Sequence, residues 1–483
     1  MNYTFHKQAV IPWIDQHAGE FIRMADQIWA KPEINWEEEF ASKLLADYLE
    51  GEGFSVNRGV SEMPTAFVAE FGTGEPVIAF VGEYDALPGL SNVAEPYQKP
   101  AAEGAPGHGC GHHMLGVASA AAAAAVKHWM EDNGIPGTVR YYGTPAEEGG
   151  GGKVFMARDG LFNDIDAALT YHPAFVNSAS KGSCVAVTSA KFRFHGKSSH
   201  AGGAPHLGRS ALDAVELMNV GANYMREHVL DGTRIQYIIT DGGQAPNIVP
   251  ETAEVYYILR AERADYVMEL AEWLRNIARG AALMTKTSFT EQFESGYASM
   301  LPNYQIADVM GAALNEVGPI PFSDEDMDFS QKVNDALGAD NRAYIEQAIE
   351  ASGFAKPAAD LLRQHADQPL LAANFPALDE GIIYKGATDV GDLSQCAPTG
   401  ELNTACFPTC TPGHSWVNTA AGGMAIGHKG MLHAARALAL SAAAIYSDPD
   451  LVSAIRTEFN QAMMGKTYQA LIPEGVKPGK LKI

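Results

Sequence analysis

The sequence predicts an α/β protein of two domains, with a central, mostly parallel sheet in one domain and a second domain inserted into it. Over the first 185 residues, short apolar runs such as 77–81 alternate with helical patterns. That alternation is typical of a parallel sheet covered by helices. After residue 185 the order of elements becomes β-α-β-β-α-β, which is a compact unit in its own right. The length of 483 residues is ample for both domains.

The first part of the chain is predicted from helical periodicity and from apolar runs bounded by Gly or Pro. Apolar residues recur at helical spacing up to Ala30, Pro32 interrupts the pattern, and Gly53 ends the next helix. In order, we predict helices at 14–30 and 36–52, strands at 65–71 and 76–82, a helix at 113–130, a strand at 138–142, a helix at 152–159 and a strand at 167–171.

The inserted unit begins where the apolar pattern changes to period two, as in a half-exposed strand at 185–194. The remaining predicted elements of this unit are helices at 208–228 and 264–283 and strands at 234–240, 252–260 and 286–293. We therefore predict one domain from residues 1–185 and 297–483 and an inserted domain from 186–296. The later chain is predicted to be helical at 305–318 and 422–447, and acidic and loop-rich at 319–380 with helical pieces at 340–352 and 358–366.

Composition excludes several classes of function. The net charge is −24, from 34 basic and 58 acidic residues, which argues against nucleic acid or an anionic membrane as a partner. No apolar run approaches the roughly 20 residues of a membrane span, and the N-terminal residues carry no signal-peptide pattern. The five cysteines are too scattered for a disulfide framework, so a cytoplasmic protein is predicted.

Side chains that bind metal follow several of the predicted strands. Cys110 and His112 lie in a glycine-rich stretch just before a helix, His172 ends a strand, and His414 lies in an irregular loop. Each residue alone is more often structural, but together they supply the thiolate and imidazole ligands that a Zn²⁺ or Mn²⁺ hydrolase needs. The positive end of the following helix is also expected to favour a thiolate at Cys110.

Paired carboxylates complete this pattern. Glu147 and Glu148 follow a strand and precede four glycines, so one can bind metal while the other holds the attacking water. Asp85 follows another strand, where it either orients a metal ligand or caps a turn. His200 and Asn247 are polar loop residues of the inserted unit that spacing alone does not assign to a site.

Other enzyme classes lack their signatures. No Gly-x-Gly-x-x-Gly segment joins a strand to a helix with an acidic residue downstream, which makes a zinc dehydrogenase less favoured. There is no Gly-x-Ser-x-Gly nucleophile elbow and no Walker loop. Metal-assisted hydrolysis is therefore the chemistry that the residues favour.

Five segments resemble the M20 metallopeptidase family, and more narrowly its amidohydrolase branch with a Cys-Gly-His motif. They are Gly-Glu-Tyr-Asp-Ala-Leu-Pro at 82–88, Gly-Cys-Gly-His at 109–112, Pro-Ala-Glu-Glu-Gly-Gly at 145–150, His-Pro at 172–173 and Ser-His-Ala at 199–201. The resemblance covers nearly the whole chain. His113 departs from the family pattern, because an aspartate or asparagine usually follows Cys-Gly-His.

The resemblance implies a two-metal catalytic domain interrupted by a lid domain that also makes the dimer. It implies that Glu147 is the general base. Asp85 lies in the first of these segments and is predicted to be a second catalytic residue. It further implies that His200 reaches the substrate of the partner subunit and that Asn247 lies in a lid loop contacting substrate. The metal ligands implied are Cys110, His112, Glu148, His172 and His414.

The function implied is hydrolysis of the amide bond of an N-acyl or N-aroyl amino acid, with p-aminobenzoyl-glutamate as the first candidate. The cofactors implied are two divalent metal ions per subunit, Mn²⁺ or Zn²⁺, and the assembly is a homodimer or a heteromer with a homologous subunit. Alternatives on the same fold are a dipeptidase, a hydrolase of auxin-type conjugates and an aryl-amine deaminase. A non-catalytic partner subunit is disfavoured because Glu147 and the ligand set are present.

Overall fold

The structure is a computed structural model that describes residues 3–479; residues 1–2 and 480–483, at the outer ends of the predicted first domain, lie outside the described residues. The α-helices are α1 Lys7–Ala30, α2 Glu39–Gly51, α3 His112–Asn133, α4 Gly152–Arg158, α5 Ala211–Met225, α6 Ala264–Thr285, α7 Tyr304–Val317, α8 Asp324–Leu337, α9 Asn341–Ser352, α10 Lys356–Gln364, α11 Val390–Ser394, α12 Trp416–Gly422, α13 Ala425–Tyr446 and α14 Pro449–Met463. The strands are β1 Ser55–Arg58, β2 Phe67–Thr73, β3 Val77–Gly82, β4 Gly137–Gly143, β5 Ala167–Ala174, β6 Ser178–Ser180, β7 Ser183–Cys184, β8 Ala186–His195, β9 Arg234–Asp241, β10 Thr252–Ala261, β11 Ser288–Tyr297, β12 Ile383–Tyr384 and β13 Thr399–Ala405.

The larger sheet has seven strands in the order β1-β2-β4-β3-β5-β13-β6. Its four central strands, β4, β3, β5 and β13, run parallel, and the outer pairings are antiparallel. Every residue of β3 is buried, as expected for a central strand covered on both faces. The predicted α/β class with a mostly parallel sheet is confirmed, and the carboxyl ends of the parallel strands meet at one edge.

Strand β13 was not predicted from the sequence, although it completes this sheet. It pairs with β5, so that Leu402 lies opposite Tyr171 and Asn403 opposite His172. Its residues Thr-Gly-Glu-Leu-Asn-Thr-Ala are too polar to read as a buried strand. Because of this pairing, segments before and after the inserted unit share one sheet. Helices α8, α11, α12 and α14 were also missed.

The inserted unit is an antiparallel sheet of four strands in the order β11-β8-β10-β9, packed with α5 and α6. The predicted β-α-β-β-α-β order is confirmed. Phe192, Val255 and Leu270 belong to a core of its own. Strand β9 is an edge strand that exposes Tyr237 and Ile238. The domain boundaries at 186 and 296 stay a prediction.

The acidic segment at 319–380 contains three helices, α8, α9 and α10, rather than mostly loops. Two of them correspond to the predicted pieces at 340–352 and 358–366. Ile345, Leu362 and Leu371 form a small separate core. The Tyr344 hydroxyl donates a hydrogen bond to the carbonyl oxygen of Thr411 at 2.9 Å. This unit therefore holds the loop that carries His414.

The helices considered for membrane spanning are those of residues 3–479. None of these helices is long and apolar enough to cross a membrane.

Candidate metal centre

Six of the predicted residues converge at the carboxyl ends of the parallel strands. Their ligating atoms form three overlapping groups, and the atoms of each group lie within 4.8 Å of one another. The groups are Cys110, His112 and His172; Cys110, Glu148 and His414; and His112, Glu147 and Glu148. Cys110, His112 and Glu148 each belong to two groups, so the cluster is continuous. Its extent suits a pair of metal positions rather than one.

The separations between donor atoms match those of ligands around a shared ion. Cys110 Sγ lies 3.3 Å from His172 Nε2, and His414 Nε2 lies 3.5 Å from Glu148 Oε1. The distance from His112 Nε2 to Glu148 Oε1 is 3.9 Å. Two ligands about 2.1 Å from a tetrahedral ion are separated by about 3.4 Å. The cluster thus needs little rearrangement to bind a cation.

Hydrogen bonds to Nδ1 of His112 and of His172 turn the Nε2 atom of each ring toward the cluster. His112 Nδ1 is 2.8 Å from Asp85 Oδ1, and His172 Nδ1 is 2.9 Å from the carbonyl oxygen of Pro173. In these pairs Nδ1–H donates, so the Nε2 lone pair faces the cluster. Nε2 of His112 and Oε1 of Glu148 are buried and have no hydrogen-bond partner among the described residues. Orphaned atoms of this kind fit a metal site.

Asp85 holds two parts of the cluster together. One oxygen accepts from His112, and the other accepts from the backbone N–H of Glu148 at 2.9 Å. Burial is the largest influence and raises the pKa of Asp85, but His112, the Glu148 N–H and Lys153 together outweigh it and lower the pKa below its usual value. Asp85 is therefore positioned to orient His112 and Glu148 rather than to bind metal itself.

The backbone before Glu147 forms a tight turn that neighbouring groups hold in place. Ala146 has a φ of +59°, a left-handed conformation that is uncommon outside glycine. Its N–H donates to Glu38 Oε1 at 2.8 Å, and its carbonyl accepts from the N–H of Gly151 at 2.7 Å. Burial, and then the nearby Glu83 carboxylate, raise the pKa of Glu147 well above its usual value.

The expectation of a low-pKa thiolate at Cys110 is wrong for the metal-free protein. Burial raises the pKa of the Cys110 thiol to about 12, and the neighbouring His112 only partly opposes this effect. Cys110 also precedes the first residue of α3 by two positions, outside the helix end itself. Desolvation therefore outweighs the helix dipole here, and the thiolate requires the charge of a bound cation.

A buried ion-pair network beside the cluster was missed in the sequence. Lys153 Nζ lies 2.6 Å from both Glu83 Oε1 and Asp389 Oδ1. The other Glu83 oxygen lies 3.3 Å from His112 Nε2. The side chains of Lys153 and Asp389 are fully buried. The sequence indicates this network only indirectly. Glu83 lies in the same motif as Asp85, and Lys153 follows the glycines after Glu148.

A cavity of about 480 Å³ opens onto the cluster. Its walls include Cys110, Glu147 and His414, together with apolar residues and aromatic rings. A cavity that combines an apolar wall with a few polar groups is typical of a small-molecule site.

His200 and Asn247 lie together, but away from this cavity. The His200 ring is exposed, and its Nδ1 accepts from the N–H groups of Gly202 and Gly203 at 3.2 and 2.9 Å. Its hydrogen therefore lies on Nε2, which is free to donate. The Asn247 carbonyl accepts from the Ala201 N–H at 3.0 Å. Neither residue lines the metal cavity of its own chain.

His113 points away from the cluster. It is fully buried, and its Nε2 lies 3.2 Å from the carbonyl oxygen of Gly422. Its departure from the family pattern therefore affects helix packing rather than the donor atoms.

Sequence comparison relates the chain to known proteins. A model of the M20 peptidase dimerisation domain matches residues 186–283. The chain is also 40% identical to one of the subunits of p-aminobenzoyl-glutamate hydrolase from Escherichia coli (strain K12) over 471 residues, which cover 97% of this chain and 98% of that protein. The chain belongs to the M20 peptidase family. As an M20 member it is a metal-dependent hydrolase.

Solved structures share the M20 fold. A dinuclear metal binding peptidase of the M20 family from Bacillus subtilis superposes with a TM-score of 0.56 at 17% identity, over 90% of this chain and 99% of that one. An aminobenzoyl-glutamate utilization protein from Klebsiella pneumoniae gives a TM-score of 0.57 at 16% identity, over 87% and 98%. At these identities the comparison supports the fold alone.

Proposed function

We propose that this M20 protein hydrolyses the amide bond of N-aroyl or N-acyl amino acids, with p-aminobenzoyl-glutamate as the first substrate to test. The observation that carries the proposal is the convergence of five metal-binding side chains and Glu147 in one cluster, next to one cavity. The near full-length similarity to a component of p-aminobenzoyl-glutamate hydrolase selects the substrate.

Cys110, His112, Glu148, His172 and His414 would hold two divalent cations, Mn²⁺ or Zn²⁺. Thiolate and imidazole favour Zn²⁺, whereas carboxylates are compatible with Mn²⁺, so the mixed donor set accepts either. Bound there, the cations would lower the pKa of a water molecule and polarise the amide carbonyl.

The protein's own groups carry the proton. Glu147 takes a proton from the attacking water and delivers it to the leaving amine nitrogen, as a general base and then a general acid. Asp85 keeps His112 and Glu148 in place through its two oxygens. The Nε2–H of His200 is free to donate to the oxyanion that forms on the substrate carbonyl.

Metal removal tests the proposed function. Dialysis against a chelator is expected to abolish release of p-aminobenzoate from p-aminobenzoyl-glutamate, and adding Mn²⁺ or Zn²⁺ is expected to restore it. The reason is that His112 and Glu148 have buried donor atoms without another partner among the described residues. The measurements are product release and metal content, the latter by mass spectrometry. Full activity in protein shown to contain no metal would contradict the proposal.

We further propose that the lid pairs two subunits, as a homodimer or as a heteromer with a homologous subunit. The edge strand β9 exposes Tyr237, Ile238 and Ile239, which leaves backbone and apolar groups open to another strand. The relative from Escherichia coli is named as one subunit of its hydrolase, in keeping with an enzyme of more than one kind of chain. Pairing at this edge would let His200 act in the partner's site.

Mixing inactive variants tests whether His200 acts across the interface. We expect His200→Ala and Glu147→Gln each to be inactive, and mixed dimers to regain one working site each. Activity after subunit exchange is the measurement. His206→Ala is the control, since His206 is an exposed histidine of the same loop region and should behave as the wild type. No recovery despite proven exchange would place His200 in its own subunit's site or outside catalysis.

A further inference from the structure

Glu401 lies on the same face of the sheet as the metal ligand His172. In the β5–β13 pair, Glu401 is opposite Thr170 and Asn403 is opposite His172. Residues two apart on a strand share a face and are separated by about 7 Å. Thr170, His172 and Glu401 all line the 480 Å³ cavity. The cavity therefore contains a carboxylate one strand repeat away from the metal cluster.

This carboxylate has no partner within the described part of the chain. The Glu401 side chain is half-buried and makes no hydrogen bond or ion pair with any residue in 3–479. Burial, followed by the Glu83 and Asp379 carboxylates, raises its pKa to about 7. The positive charge of Lys153 lowers this pKa only in part, because Lys153 is paired with Glu83 and Asp389 instead. An unpaired, desolvated carboxylate destabilises the fold, which suggests a role in binding.

The rest of the cavity wall suits an aromatic group. Phe175, Tyr344 and Phe407 line it, and Phe175 packs edge-on against Tyr344 with ring centroids 6.0 Å apart. Offset and edge-on ring contacts stabilise aromatic ligands in such walls. If the carbonyl of a benzoyl group lies at the metal cluster, the para substituent of its ring is directed away from the metals.

We propose that Glu401 accepts a hydrogen bond from the para-amino group of an N-aroyl substrate and so selects arylamine acyl groups. This inference rests on the proposed function and adds the specificity of its acyl subsite. The separation of about 7 Å along the strands is comparable to the length of a para-substituted benzoyl group. An N–H donor would give Glu401 the partner that the protein does not supply, whereas a methyl group of similar size would leave it unpaired.

The test compares 4-aminobenzoyl-glutamate with 4-methylbenzoyl-glutamate, which differ in the donor but hardly in size. In the wild type we expect kcat/KM for the amino substrate to exceed that for the methyl substrate by roughly 10- to 100-fold, the scale of a hydrogen bond to a charged group. In Glu401→Leu that ratio should fall to about one or invert. Glu350→Leu, at an exposed site on α9, is the control and should keep the wild-type ratio.

Thermal stability gives an independent readout on the same variants. A carboxyl group whose folded pKa is raised from 4.5 to about 7 stabilises the fold fully below pH 4.5 and loses that contribution as pH rises through 7. At pH 8 Glu401→Gln and Glu401→Leu should therefore have a higher Tm than the wild type. A variant that misfolds would instead show a lower Tm or no cooperative unfolding transition.

The outcomes separate the two proposals. If neither glutamate conjugate is cleaved with any metal, the proposed function fails. If both are cleaved but Glu401→Leu, with its Tm retained, keeps the wild-type ratio, the function stands and the role of Glu401 is overturned. If Glu401→Leu loses the preference for the amino substrate over the methyl substrate and Glu350→Leu keeps it, the acyl subsite is supported.

Discussion

Replacing Glu147 with glutamine is expected to lower kcat by roughly 10²-fold or more, the scale of general acid–base catalysis. The amide cannot take the proton from water, yet it keeps the shape of the side chain. Metal content and folding should be unchanged, because the other carboxylate, Glu148, supplies the metal-facing oxygen. The measurements are steady-state kinetics and metal analysis of the purified variant.

The matched control is Glu148→Gln, one residue along the chain. It should lose metal, because Glu148 Oε1 lies within 4 Å of both His112 and His414. The two variants therefore separate proton transfer from metal binding at adjacent positions. Near-normal turnover in Glu147→Gln, or metal loss in that variant alone, would overturn the assignment of the general base.

Replacing Lys153 with methionine is expected to lower the free energy of unfolding by about 3–5 kcal/mol, the cost of leaving buried charges without their partner. Glu83 and Asp389 each lose a contact of 2.6 Å in a fully buried environment. Methionine keeps most of the volume, so packing changes little. Urea unfolding of the metal-free protein measures the effect.

Two comparisons make this prediction specific. Lys127→Met removes an ion pair whose partner, Glu131, is 44% exposed, so it should cost about 1 kcal/mol or less. Burial already raises the pKa of Asp389 to about 6 despite Lys153, and losing Lys153 should raise it further. A carboxyl group with a raised pKa in the folded protein lowers the free energy of unfolding as pH rises. The free energy of unfolding that Lys153→Met loses relative to the wild type should therefore be larger at pH 8 than at pH 5. An equal deficit for both lysine variants would contradict the role of the buried network.

The contrast between β3 and β13 shows how far the sequence could predict the sheet. The run Val-Ile-Ala-Phe-Val at 77–81 is apolar throughout, so a buried strand was predicted correctly. In β13, Glu401 and Asn403 are directed toward the same face as the cavity residues Thr170 and His172. A strand that lines a functional cavity carries polar residues, and local hydrophobicity then fails to identify it.

The sequence by itself determined the fold class, the order of the inserted unit and the types of side chain available to bind metal. Those depend on local periodicity and on which residues follow strands. Only the tertiary structure brought His414 to Glu148, paired Lys153 with Glu83 and Asp389, and placed the unpaired Glu401 in the cavity. These contacts join segments up to 266 residues apart, from Glu148 to His414. They arise because separate strands and loops end at one edge of the sheet, and chain spacing carries no record of that proximity.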